Sequence, residues 1–210
     1  MDPRAQLASG LQTILHRSAT QPELDAFSRY LDLLLRWNRV HSLTAYRNPH
    51  EIVDKLFLDS LLFLELLPPR IFRLLDLGSG AGIPGIPLKI VRPAYVLTLI
   101  EARRRRATFL TTVVRELALP NVQVLTGRAE SLIKGHRNLE GGFDAVVTRA
   151  SGSLDRIAPL ALKFLRPGGE FVASGPPITK SASVPTGLGS WEVVRSPLSG
   201  LQRRFLLIKK

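Results

Sequence analysis

The chain of 210 residues contains no cysteine. That excludes a disulfide framework, a thiolate metal site and a cysteine nucleophile. Its four histidines, His16, His41, His50 and His136, are scattered without ligand-like spacing, so no metal is expected. No apolar run approaches the roughly 20 residues that span a bilayer. No apolar signal segment follows Met1-Asp2-Pro3-Arg4. The expectation is a cytoplasmic protein with no membrane partner. Acidic residues are also scarce: 17 Asp+Glu stand against 29 Lys+Arg, a net charge of +12. Residues 1–70 hold eight basic and eight acidic side chains, whereas 71–210 hold 21 basic and nine acidic ones. The whole excess therefore lies in the last two thirds. Such a field favours a polyanionic partner, RNA or DNA above all, through counterion release. The plainer alternative is an arginine-rich surface that serves nothing specific. Hydrophobic residues make up 45% of the chain, enough for a large core and too many for a disordered tail.

The first 70 residues read as helical. Leu7, Leu11, Ile14 and Leu15 recur at helical spacing. Thr20-Gln21-Pro22-Glu23 has the form of a capping box with an early proline. The helix it opens carries Leu24, Phe27, Tyr30, Leu31, Leu34 and Leu35 on one face and ends near Trp37-Asn38. A third helix starts at Asn48-Pro49-His50-Glu51, continues through Ile52, Leu56, Leu61 and Leu64, and stops at Pro68-Pro69. From residue 71 the pattern changes. Short apolar runs at 71–77, 95–100, 122–125, 143–148 and 170–173 read as buried strands. Helical segments at 84–92, 103–118, 129–134 and 153–165 lie between them. Alternation of this kind predicts an α/β fold whose parallel sheet is covered on both faces. Residues 191–195 and 203–208 have no helix-length spacer between them and form a final antiparallel pair. The result is a mostly parallel seven-stranded sheet in 71–210, preceded by a helical extension in 1–70. Residues 174–190 form a loop, and Lys209-Lys210 a frayed tail.

The informative stretch is Leu75-Asp76-Leu77-Gly78-Ser79-Gly80-Ala81-Gly82-Ile83-Pro84-Gly85. It follows the first strand and opens the first crossover helix. Glycines there permit a tight turn and close approach of a ligand to the backbone. The spacing is Gly-x-Gly-x-Gly, not the Gly-x-Gly-x-x-Gly of dinucleotide folds. Asp76 stands before the glycines, and the second strand ends in Glu101. An acid at that tip can accept hydrogen bonds from both ribose hydroxyls of an adenosine-type cofactor. A pyrophosphate would be repelled by Asp76. S-adenosylmethionine has no phosphate and carries an ammonium and a sulfonium, which nearby carboxylates favour. A tight turn that binds nothing is the structural alternative.

These residues resemble class I S-adenosylmethionine-dependent methyltransferases, whose fold is Rossmann-like. The closer resemblance is to the bacterial small-subunit rRNA guanine-N7 methyltransferase G family, also called glucose-inhibited division protein B. It is carried by Trp37-Asn38-Arg39-Val40, Ser42-Leu43-Thr44-Ala45, Leu58-Asp59-Ser60-Leu61, Asp76 through Pro87, Gly127-Arg128-Ala129-Glu130, Phe143-Asp144 and Thr148-Arg149-Ala150. The resemblance implies methylation of N7 of one guanine in the 530-loop region of 16S rRNA. The cofactor would be S-adenosyl-L-methionine, the product S-adenosyl-L-homocysteine, and the partner 16S rRNA or the small ribosomal subunit, met by a monomer. It further implies that Asp76, Gly78, Gly80, Gly82 and Glu101 bind the cofactor. Gly78 and Ile83 would follow its methionine part, Ala129 and Glu130 its adenine, and Arg149 would face the transfer site. Two positions depart from the family pattern. Leu56 stands where a histidine is usual, and Ala173-Ser174-Gly175 where Leu-Lys-Gly is common.

Guanine N7 has a free lone pair, so its methylation needs no general base, which suits a chain without an evident acid–base pair. Arg149 is the candidate to hold guanine O6; pairing with Asp144 or Asp155 is its structural alternative. Arg103-Arg104-Arg105-Arg106 opens a helix where positive charge is unfavourable. Gripping phosphate would explain that, and a solvated helix start is as simple. Trp37 and Phe57 read as core, Asn38 and Thr44 as caps or as residues lining the substrate cleft, and Asp59 as an exposed helix acid or a cleft residue. A methyltransferase for a small molecule or protein, and a noncatalytic RNA-binding protein that keeps the fold, remain as alternatives.

Overall fold

The computed structural model describes residues 2–149, 154–176 and 189–210. Ala150, residue 153 at the start of an expected helix and most of the loop expected over 174–190 lie outside them. Three helical segments come first. α1 (Pro3–Leu15) and α2 (Gln21–His41) are regular helices. Thr20 accepts from the Glu23 N–H and Glu23 accepts from the Thr20 N–H, so the capping box forms as read. α2 runs past Asn38 to His41, because Asn38 turns inward and holds the next loop rather than ending the helix. It donates to the Tyr46 carbonyl and accepts from the Thr44 N–H, both at 2.9 Å.

The expected third helix is broken into three. α3 (Pro49–Ile52) passes into a π-helical turn, Val53–Leu58, and after Asp59-Ser60 a 3-10 turn, Leu61–Glu65, follows. Residues 52, 53, 56, 57, 58, 61, 62 and 63 are all buried, so the buried face is wider than a single α-helical stripe. An α-helix shows its core one stripe, and a widened turn distributes buried side chains over more directions.

The sheet contains β1 (Arg73–Leu77), β2 (Val96–Glu101), β3 (Val122–Thr126), β4 (Phe143–Thr148), β5 (Leu165–Ser174), β6 (Ser190–Arg195) and β7 (Gln202–Lys209). Their order is β3-β2-β1-β4-β5-β7-β6. All pairings are parallel except those of β7, which is antiparallel to β5 and to β6. α4 (Gly85–Val91), α5 (Arg104–Glu116), α6 (Ala129–Gly135) and α7 (Leu154–Phe164) cover the faces. Period-two alternation divides the core. Leu74, Leu97, Leu99 and Val147 point to the face covered by α1, α2, α4 and α5. Leu75, Ile100, Val146 and Phe171 point to the face covered by α7. The N-terminal helices thus share one core with the sheet.

β5 begins earlier than expected. Leu165 pairs with Phe143, and a register shift absorbs the Pro167-Gly168-Gly169 turn before regular pairing resumes at Glu170. The C-terminus does not fray: Lys209 pairs with Glu170 at 3.0 Å, and Lys210 Nζ donates to the Leu165 carbonyl at 2.6 Å.

β1 lies between β2 and β4, so the crossovers leave it in opposite directions. In open α/β sheets the crevice at the carboxyl ends of such strands is where ligands bind.

Candidate functional site

The glycine turn begins where β1 runs out. Gly78 and Ser79 donate to the Ile100 carbonyl at 2.9 and 3.0 Å, and the Ser79 hydroxyl donates to the Asp76 carbonyl at 2.9 Å. The turn is therefore tied to β2. Gly78, Gly80 and Gly82 have φ of +76°, +58° and +90°, a region that favours glycine. Their surroundings differ. A Cβ on Gly78 would meet nothing within 4 Å; on Gly80 it would meet only Arg106 Nη1 at 3.8 Å and the Gly78 carbonyl at 3.9 Å. On Gly82 it would strike Ile86 at 2.5 Å and the Tyr30 hydroxyl at 2.8 Å, and on Gly85 the Asp76 carboxylate at 2.7 Å. Gly78 and Gly80 leave open space, and Gly82 and Gly85 let the protein close behind the turn. Ile83 is buried beside them.

Asp76 has no exposed surface. Its Oδ2 accepts from the Gly85 N–H at 2.9 Å, and its Oδ1 has no partner among the described residues. Burial pushes its pKa up to about 7, against the Gly85 hydrogen bond, and the negative Glu101 nearby adds to the rise. The carboxylate lies beneath the turn, packed against Gly85. Glu101, the last residue of β2, accepts from the Gly80 N–H at 2.9 Å and the Arg103 N–H at 2.7 Å. Each carboxylate oxygen keeps a second lone pair for a hydroxyl donor. The Glu101 carbonyl accepts from Gly127 at 3.0 Å, which draws the β3–α6 loop alongside. Ala129 and Glu130 open α6 there, the first buried and the second exposed. A cationic, phosphate-free adenosine ligand suits this arrangement: open backbone at Gly78 and Gly80, an acid at the ribose position and an under-satisfied carboxylate beneath.

On the other side of the switch point, the Thr148 hydroxyl donates to the Leu77 carbonyl at 2.7 Å, bringing the tip of β4 against the tip of β1. Arg149 follows. It pairs with Asp59 rather than with Asp144. Asp144 instead accepts from the Phe72 and Arg73 N–H groups and pairs with Arg166. Arg149 Nη1 donates to the Lys55 carbonyl at 2.7 Å, and Nη2 lies 3.4 Å from Asp59 Oδ2. The other Asp59 oxygen takes Arg203 Nε at 2.7 Å. Burial lowers the Arg149 pKa, Asp59 opposes that, and Arg203 adds to it. Asp59 is thus a cleft residue shared by two arginines from distant parts of the chain.

Sequence reading missed Tyr30 and Arg203. Tyr30, on α2, donates its buried hydroxyl to the Ala81 carbonyl inside the glycine turn and stacks on Phe57 of the π-turn at 4.7 Å. Its place on an apolar helical face gave no sign of this. Arg203 lay inside a strand pattern.

Among the described residues no helix is long and apolar enough to cross a membrane, and no group of three or more His, Asp or Glu could hold a metal.

The fold has solved counterparts. The O-methyltransferase TomG of Streptomyces achromogenes, solved with SAM, superposes with a TM-score of 0.62 at 18% identity over the whole of both chains. An O-methyltransferase of Bacillus cereus, solved with SAH, gives 0.60 at 15% identity over 98% of this chain and 97% of that one. Likeness in sequence is closer. The ribosomal RNA small subunit methyltransferase G of Chromobacterium violaceum is 36% identical over 207 residues, 98% of this chain and 96% of its own. That of Nitrosomonas europaea is 40% identical over 163 residues, 77% and 72%. The family model for rRNA small subunit methyltransferase G matches residues 23–175, a span that includes the glycine turn, Glu101, Asp59 and Arg149. This α/β chain, with the class I methyltransferase fold, belongs to the rRNA small subunit methyltransferase G family.

Proposed function

We propose that the protein transfers a methyl group from S-adenosylmethionine to N7 of a guanine in the 530-loop region of 16S rRNA. Family membership supports the substrate, and the open backbone at Gly78 and Gly80 is the observation that carries the cofactor site. The bound cofactor supplies an electrophilic methyl: its carbon–sulfur bond breaks as the bond to N7 forms. In this reading Gly78, Gly80 and Ile83 line the methionine part, Glu101 takes the ribose hydroxyls, and Ala129 and Glu130 border the adenine. Asp76, in its ionised form, supplies negative potential from below, a form that grows as pH rises through about 7. The N7 lone pair is free, so no protein group has to remove a proton. Catalysis rests on alignment, with the base held at near-attack distance. Arg149 donates to guanine O6 and fixes the orientation of the base; the charge that passes from sulfur to the purine is positive, so this arginine acts by positioning. Lys55 and Asp59 hold it at the tip of β4. The basic excess of residues 71–210 draws the RNA.

The test is transfer of labelled methyl to naked 16S rRNA, to small ribosomal subunits and to small acceptors. Label on guanine N7 in the 530-loop region, located by mass mapping, is the expected result. Label confined to small acceptors, or absent from all of them, overturns the reading. Gly78→Val should abolish cofactor binding in calorimetry by filling the open space. Arg149→Ala should keep cofactor affinity and lower the single-turnover rate by about a hundredfold through misalignment of the base.

A further inference from the structure

A recess of about 210 Å³ lies between the π-turn and the hairpin that joins β6 to β7. Tyr46, Asp54, Lys55, Asp59, Leu201 and Arg203 are among its walls. Its position follows from the topology. β5 ends at Ser174, which pairs with Phe205 of antiparallel β7. Residues before 205 therefore run out beyond the carboxyl end of β5, the edge that carries the glycine turn and Arg149. Arg149 is bonded to two residues of the wall, Lys55 and Asp59, so it ties the recess to the tip of β4.

The recess has a mixed lining. Tyr46 offers a ring, with Lys55 Nζ 5.8 Å from its centre. Asp59 is committed to Arg149 and Arg203. Asp54 is different: among the described residues no ion pair or side-chain hydrogen bond engages its carboxylate. An unpaired carboxylate in a cleft built for RNA repels the phosphate backbone, so a specific donor has to offset that repulsion. Guanine carries two donors side by side on its Watson–Crick edge, N1–H and the 2-amino group, which a carboxylate accepts together. Adenine and cytosine present a ring acceptor there, and uracil a single donor. Single-stranded bases are read in this way, stacked on an aromatic ring and hydrogen-bonded along that edge.

We propose that this recess seats the acceptor guanine, with Tyr46 under the base and Asp54 on N1–H and the 2-amino group. This rests on the function proposed above and adds the residue that selects the base. With N1–H and the 2-amino group held by Asp54, the Hoogsteen edge, O6 and N7, is left to face Arg149 and the cofactor cleft.

The experiment compares small ribosomal subunits reconstituted with guanosine or inosine at the accepted position. Inosine keeps N7, O6 and N1–H and lacks the 2-amino group. Wild-type kcat/KM should fall about tenfold or more with inosine. Asp54→Asn should lower kcat/KM for guanosine by a similar factor and erase the difference between the two RNAs, with cofactor affinity unchanged. Tyr46→Ala should raise KM for both RNAs about equally. Equal wild-type rates on the two RNAs overturn the recess proposal alone, without needing any variant to fold. So does an Asp54→Asn protein that keeps the full preference for guanosine. No transfer to either RNA by the wild-type protein overturns the functional reading itself, and the recess proposal with it.

Discussion

Asp76 is a buried acid whose neutral form the fold favours. Its pKa stands near 7 in the folded protein against 3.8 as the ordinary value. Between about pH 4 and pH 7 the folded chain therefore binds more protons at this site than the unfolded chain, and stability falls as pH rises through that window. Below it both states are protonated, and above it both are ionised, so the contribution is flat at either end. Asp76→Asn removes the slope. Relative to wild type, the variant should gain stability steadily from about pH 4 to 7 and no further above, in denaturant titrations run at each pH. A constant difference across that range would show that Asp76 is not the group responsible. The sequence showed that an acid precedes the glycines; it did not show that the side chain turns under the turn to meet Gly85, because strand position sets a face but not the partner found there. Gly78 was legible for a simpler reason: its backbone conformation and open flank are what glycine is needed for. Asp59 was half legible, as a cleft residue or an exposed acid, because its arginine partners, Arg149 and Arg203, are 90 and 144 positions away.

α2 and the π-turn act together on the cofactor side. Tyr30 joins them: its ring stacks on Phe57, and its hydroxyl holds the Ala81 carbonyl of the glycine turn. Tyr30→Phe keeps the stack and leaves that buried carbonyl without its donor. The loss should destabilise the protein by about 1–3 kcal/mol. It should also loosen the turn and raise KM for the cofactor several-fold, with KM for RNA unchanged. A cofactor KM equal to wild type, in a folded variant, would detach α2 from the cofactor site. Helices with one apolar stripe were readable along the chain, α2 and α5 among them. The stretch from Ile52 to Leu64 was not, since periodicity cannot separate an α-helix from a π-turn when buried positions fall on more than one stripe. β5 was shortened in the same way by its Pro167-Gly168-Gly169 turn, which local chemistry marks as a break and which the sheet accommodates with a register shift.

Across the whole molecule the charge lies where the fold can use it. Arg103, Arg104 and Arg105 are exposed at the start of α5, and Arg128 is exposed at the start of α6. Both helices start at the carboxyl edge of the sheet, beside the proposed cofactor cleft, so these cations would flank an RNA that binds as proposed. Arg106 points inward to Gly80, which shows why four successive arginines do not face one partner. The uneven charge between 1–70 and 71–210 was plain in the sequence, whereas placing Arg103, Arg104, Arg105 and Arg128 at the carboxyl edge required the strand order. Neutralising phosphates releases counterions, so affinity for RNA should fall steeply with salt, with a log–log slope of roughly 0.7–0.9 per phosphate neutralised. Cofactor binding, made by a buried acid and backbone groups, should change little over the same range. An Arg104→Ala, Arg105→Ala protein should bind small subunits more weakly at every salt concentration. Its slope should be shallower by about one for each phosphate that the missing guanidinium groups had neutralised, and its cofactor affinity should match wild type. Filter binding over a salt series decides the matter: an unchanged slope would place the RNA on another face of the molecule, away from the start of α5.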